Sequence, residues 1–159
     1  MNNKNNSQKL KTIAACLSVL CLCVIPDAHA REGVGLGIIV GEPTGLSMKY
    51  WLDDTTAIDA AVAFSSSDNN PLQFHADYLM HSGITARNSR TLQSYYGVGA
   101  RISNDDNDTR LGIRVPFGVT YNFSKVPVDL FAEIAPVLDV TPDVTLDLNA
   151  AVGIRYFFH

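Results

Sequence analysis

The chain has 159 residues, 47% of them hydrophobic and 18% charged, with a formal net charge of -4. That is one domain's worth of chain, too apolar for a disordered protein, too poor in glycine for a collagenous one and too acidic for a nucleic-acid binder. All three cysteines lie in the first 30 residues, and the 129 that follow keep nine Lys and Arg against fifteen Asp and Glu, so disulfides, thiolate catalysis and cysteine-type zinc sites are excluded there.

The first element is a basic stretch ending at Lys11, followed by an apolar run from Thr12 to Ile25 and the small-x-small triplet Ala28-His29-Ala30. This reads as a secretory signal cleaved before Arg31, which divides the chain into a signal peptide (1–30) and one domain (31–159). Fourteen apolar residues closed by Pro26 are too few to cross about 30 Å of hydrocarbon as a helix. The segment Ile13-Ala14-Ala15-Cys16 is superficially like a lipoprotein box, but its apolar run follows the cysteine instead of preceding it, which argues against lipidation.

After Arg31 no run of 18 uncharged apolar residues occurs, and the recurring period is two. Apolar rows fall at Val34, Leu36, Ile38 and Val40, then at Leu46, Met48, Tyr50 and Leu52, then at Ile58, Ala60, Val62 and Phe64. Leu72, Phe74, Ala76, Tyr78 and Met80 follow, then Tyr96, Val98, Ala100 and Ile102. The last three rows are the longest: Leu111 to Phe123, Val128 to Leu138 and Leu148 to Phe158. Turn residues separate the rows at Gly41 to Thr44, Asp53 to Thr55, Ser65 to Pro71, Ser82 to Thr91, Asn104 to Thr109, Ser124-Lys125 and Thr141 to Asp143. Connections this short suit antiparallel neighbours. Closing the Asp53 turn with Leu52 and Thr56 sets Lys49 across from Asp59, an expected ion pair. A two-residue Ser124-Lys125 turn sets Glu133 across from Pro116 and diagonal to Arg114, a second one.

The apolar rows carry no charge, whereas Lys49, Asp59, Asp77, Arg101, Arg110, Arg114, Asp129, Glu133, Asp147 and Arg155 fall on the opposite faces. Alternation alone does not say which face is inside, since a soluble sandwich would turn the charged one to water. Three features favour charge inside. Glycines 33, 35, 37, 97, 99, 112, 118 and 153 all lie on the polar side, where a narrow lumen needs small residues beside long ones. Tyr50, Tyr78, Tyr121 with Phe123, and Tyr156 with Phe158 gather where the even-numbered strands end, as an aromatic girdle at one membrane interface. An export signal without later cysteines suits a bacterial envelope protein. The fold class expected is all-β, an eight-stranded antiparallel up-and-down transmembrane β-barrel in the outer membrane.

The last strand, ending Gly153-Ile154-Arg155-Tyr156-Phe157-Phe158-His159, is similar to the terminal signature of bacterial outer-membrane proteins, with the aromatic penultimate because of His159. The segment Gly41 to Leu52 and the general layout resemble small eight-strand barrels related in architecture to OmpA, OmpX and OmpW. This resemblance implies outer-membrane lipid and lipopolysaccharide as surroundings, and delivery by periplasmic chaperones to the barrel-assembly machinery. Ile154, Tyr156 and Phe158 then form the assembly signal, the last strand docking by edge pairing. It does not imply one activity.

No catalytic residue, metal site or cofactor is assigned. His75, Asp77 and His81 share one polar face, but no second ligand pair of fixed spacing appears, and a lumen hydrogen-bond network explains them. Lipid A deacylases of this architecture use a lipid-facing His-x-Ser pair with a carboxylate; here His81 and Ser82 are adjacent. In Asn104 to Asp108 the calcium-loop pattern fails, with Thr109 where glycine belongs and Val115 where glutamate belongs. Arg87 and Arg90 read as an exposed polar connection. The expected centre of interest is the lumen charge network of Lys49, Asp59, Asp77, Arg101, Arg114, Asp129, Glu133 and Arg155, filling a narrow interior. A structural or surface-contact role comes first, a narrow channel or hydrophobic-solute conduit second, and a lipid-modifying enzyme third.

Overall fold

A computed structural model of the chain describes residues 33–64, 72–83, 91–104 and 109–158. The signal segment, Arg87, Arg90, the acidic turn 105–108 and His159 lie outside these residues. Nine strands and no helix form within them: β1 (Val34–Glu42), β2 (Thr44–Trp51), β3 (Thr56–Phe64), β4 (Leu72–Gly83), β5 (Leu92–Asn104), β6 (Thr109–Arg114), β7 (Phe117–Asn122), β8 (Val128–Thr141) and β9 (Thr145–Phe158).

The one alternating segment that yields two strands, Leu111 to Phe123, is interrupted at Val115-Pro116. Pro116 has no N–H to donate, although its carbonyl still accepts from Gly97 N–H at 2.9 Å, and Val115 N–H donates to the Pro136 carbonyl at 3.0 Å. Pairing therefore crosses the break. Strands β6 and β7 are two halves of one stave, and the wall has eight staves.

Every stave pairs with both neighbours, including β4 with β5 and β9 with β1. Following aligned residues from Leu146 through Leu138, Ile113, Ala100, Ala76, Ala60, Met48 and Leu36 returns to β9 at Tyr156, ten residues along. The sheet closes on itself. A ten-residue stagger at about 3.3 Å per residue, set against eight spacings of about 4.8 Å, tilts the strands by about 40°.

The alternation resolves with the charge inside. Leu36, Ile38, Val98, Ile113, Ile134, Val152 and Ile154 are exposed on the outer wall, whereas Lys49, Asp59, Asp77, Arg101, Arg114, Asp129 and Arg155 are buried in the lumen. An outer wall of this composition is compatible with hydrocarbon and not with water. Small residues make the lumen fit: a Cβ on Gly118 would strike the Tyr95 ring, and one on Gly153 the Phe131 ring. These two glycines are the floor on which the neighbouring aromatic lies. At the β1–β2 turn Gly41 takes a φ of 135°, open to glycine without a steric cost, and the neighbouring Pro43 is buried.

One expected register is corrected. The turn after β7 spans residues 124–127, closed by Phe123 N–H donating to the Val128 carbonyl at 3.0 Å, so Glu133 stands across from Gly118 and not Pro116. The slip is two residues, which leaves every side chain on its face.

Candidate functional site

The lumen is organised by three arginines, each inserted between two carboxylates. Arg101 leaves β5 and crosses to Asp139 of β8 at 2.6 Å and Asp147 of β9 at 2.9 Å, with Asn149 Oδ1 accepting a further bond at 3.1 Å. Arg114 leaves β6 for Asp77 of β4 at 2.8 Å and Glu133 of β8, and the Tyr95 hydroxyl donates to the same glutamate at 3.0 Å. Arg155 leaves β9 for Asp59 of β3 at 2.5 Å and Asp129 of β8 at 3.1 Å, with its guanidinium 3.9 Å from the centre of the Phe131 ring. Five of the six carboxylates are buried, while Asp147 is 53% exposed at the rim. Charge this deep persists because each guanidinium is satisfied on two sides.

The expected pair Lys49–Asp59 does not form. The two residues are aligned on β2 and β3, but Asp59 is taken by Arg155, and Lys49 donates from Nζ to His81 Nε2 at 2.8 Å. Lys49 is completely buried, with Nζ 4.3 Å from the Trp51 ring centre and 5.6 Å from that of Tyr95. A planar guanidinium reaching across the lumen donates to two carboxylates at once, whereas the Lys49 ammonium packs against ring faces. The second expected contact, Arg114 with Glu133, forms despite the two-residue slip, because the guanidinium spans the difference.

All eight residues of the expected network lie in the lumen. Arg110 stands exposed at the start of β6. His75 is buried beside Arg101 on the adjacent strand, and Asp77 belongs to Arg114. His81 faces the lumen and Ser82 the outside, so these two side chains do not converge. Among the described residues no group of three or more His, Cys, Asp or Glu could hold a metal ion. Tyr78, Tyr121 and Phe123 are exposed and Tyr50 half-buried at the girdle end, with Tyr121 edge-on to Phe123 at 5.0 Å and Tyr156 edge-on to Phe158 at 5.0 Å.

Sequence reasoning missed Trp51, Tyr95, Asp139 and Asn149 as members of the network. Period two carried one step beyond each row places Trp51 with Lys49 and Tyr95 opposite in phase to Tyr96, which was the available signal. Nothing along the chain shows which carboxylate each arginine takes.

No protein-family model matches the chain, and no curated protein matches it. Two solved structures are similar in fold. The N-terminal β-barrel domain of Pseudomonas aeruginosa OprF superposes with a TM-score of 0.66 at 15% identity, over 82% of this chain and 100% of that one. Neisserial surface protein A superposes with a TM-score of 0.50 at 16% identity, over 79% of this chain and 94% of that one. The shared fold is the eight-stave barrel.

Proposed function

We propose that the chain is a non-enzymatic integral β-barrel of the bacterial outer membrane, with an envelope-integrity or surface-contact role and a lumen closed to ions. The observation that carries this reading is the set of three arginines bridging non-neighbouring staves, which fills a narrow interior with fixed charge of both signs. Lipid and lipopolysaccharide are its surroundings, and chaperones and the barrel-assembly machinery its partners during biogenesis. Planar-bilayer recording of the mature protein tests the closed lumen: no unitary conductance is expected, and stable ion-selective openings overturn it. Loss of envelope integrity or surface adhesion on deletion of the gene tests the cellular role.

A second reading, a narrow conduit, is favoured by polar atoms left without a protein partner along the lumen: Gln73 Nε2, Asp77 Oδ1, Arg114 Nη1 and Arg155 Nη2. Such atoms call for water. Osmotic swelling of proteoliposomes separates a water-permeable lumen from a sealed one.

A further inference from the structure

The outer apolar row is not equally tall on every stave. On β1 it runs from Val34 to Val40, on β2 from Leu46 to Leu52 just past its end, and on β3 from Ile58 to Phe64, six residue-to-residue steps each. From Leu72 to Met80 on β4 it covers eight, and on β5 it covers six from Tyr96 to Ile102, or ten from Leu92 if the intervening Ser94 is passed over. It covers twelve on each remaining stave, from Leu111 to Phe123, from Val128 to Val140 and from Leu146 to Phe158. With strands tilted by about 40°, one residue climbs about 2.5 Å along the axis. The apolar wall is therefore about 15 Å tall over β1–β3 and about 30 Å tall from β6 round to β9, against a usual band of about 25 Å. The change is abrupt where β9 meets β1.

A tilt of the whole barrel cannot level a wedge. Rotation raises one flank and lowers the other, but leaves each height as it was. On the short flank the row stops at polar groups on both sides: Glu42 and Thr44 above Val40 and Leu46, and Asp53 and Asp54 below Leu52. Asp53 is fixed as a carboxylate, accepting from the Thr55 N–H at 2.7 Å, the Thr56 N–H at 2.8 Å and both threonine hydroxyls. Hydrogen bonding, that of the Thr56 hydroxyl foremost, holds its carboxyl well below the usual range. It will not be drawn into hydrocarbon. What lies between these ends is uninterrupted apolar wall, continuous with the lipid-facing surface of the other staves, so lipid covers it too.

We infer that the barrel thins the bilayer along its β1–β3 flank, where shortened lipid meets a wall about 10 Å lower than the usual band. The inference rests on the membrane-barrel reading above. The functional consequence is a standing defect on one side of the protein, next to the β9–β1 seam, where lipid packing is loosened and the barrier to crossing the membrane is lowered.

The mature chain, free of cysteine, permits single-site spin labelling. Labels at Val40→Cys and Leu46→Cys on the short flank, Val140→Cys on the tall one and Ile134→Cys at mid-wall are read for depth in phosphatidylcholine vesicles of 14- and 18-carbon chains. A deep Ile134 label establishes insertion. The Val40 and Leu46 labels are expected at the polar boundary in both lipids, because the bilayer follows the protein. If the Ile134 label is water-accessible, the membrane-barrel reading fails. If Ile134 is deep but the Val40 and Leu46 labels lie below the polar boundary, and deeper in the 18-carbon than in the 14-carbon vesicles, the thinning fails alone. Spin–spin broadening between copies at Val40 overturns it differently, by showing protein on that flank. As a second measurement, Glu42→Leu with Thr44→Leu lengthens the short wall, and is expected to reduce severalfold the excess of phospholipid flip-flop that the protein causes; an unchanged rate overturns the inference.

Discussion

Arg155 on β9 and Asp59 on β3 are separated round the wall by β1 and β2, yet Nη1 and Oδ2 meet at 2.5 Å across the lumen. Lys49, directly aligned with Asp59, makes its hydrogen bond to His81 instead. Lateral alignment pairs Arg155 with Asp129 of the adjacent β8, but for Asp59 the stagger of the closed barrel, and not its aligned neighbour, decides which charge it meets.

Arg155→Met strands both Asp59 and Asp129 and should cost about 3–5 kcal/mol, the usual penalty for breaking a buried pair from one side. A double-mutant cycle of Arg155→Met with Asp59→Leu should show coupling above about 1 kcal/mol, while Lys49→Met with Asp59→Leu should show less than about 0.5 kcal/mol. Urea titrations of folding into vesicles measure both. The reverse order would restore the lateral pair and refute the cross-lumen one.

Charge on the outer wall should be penalised by depth. Ile134, 54% exposed at mid-wall, should lose about 2–4 kcal/mol on replacement by arginine, whereas Val144, 74% exposed in the β8–β9 turn, should lose about 0–1 kcal/mol. Equal losses in the same titrations would contradict the depth assigned to the two residues.

Strand content was legible because the long rows ending at Phe123 and Phe158 are free of charge over their whole length; the inside-out sense was legible only from the glycines on the charged faces, the aromatic girdle and the export signal, since a charge-free row fits a soluble core equally well. The β7–β8 register was not, since period two is blind to a slip of two residues and Pro127 lengthens the turn that Ser124-Lys125 suggests. The break at Pro116 was hidden for a similar reason: a proline on the lumen face keeps the phase while removing one donor. Lumen partners were the least legible, because Arg101, Arg114 and Arg155 each take a carboxylate two or three staves away, Arg114 and Arg155 beside one on the adjacent β8, and the distant choice depends on the ten-residue stagger set by all eight pairings together.

The β2–β3 turn should give the barrel an acid-sensitive corner. The bonds from Thr55 and Thr56 depress the Asp53 carboxyl in the folded state, so their contribution is fully present above the unfolded value of about 4 and is lost as pH falls toward the lower folded one. Stability of the native chain should therefore decline more steeply below about pH 4 than that of Asp53→Asn, with the two curves parallel above it. Thermal unfolding in detergent between about pH 2 and 7 measures this. Parallel curves throughout would show that the turn does not depend on the ionised form.

Closure of the wall depends on the last residues of β9. Phe158 is aligned with Val34 at the foot of the β1–β9 ladder, its ring lies edge-on to Tyr156 at 5.0 Å, and it continues the outer row through Tyr156 and Ile154. Phe158→Asp removes an aromatic from the girdle and puts a carboxylate in its place, at a cost of about 2 kcal/mol or more. It also spoils the strand end that must pair when β9 meets β1, so the loss should appear in assembly as well as in stability. Removal of His159, one residue past that row, leaves the ladder and the ring pair intact. The fraction of protein migrating as a heat-modifiable folded band should thus fall sharply for Phe158→Asp and stay near the native level for the shortened chain. Failure of the shortened chain alone would move the assembly signal from Phe158 to the terminal residue.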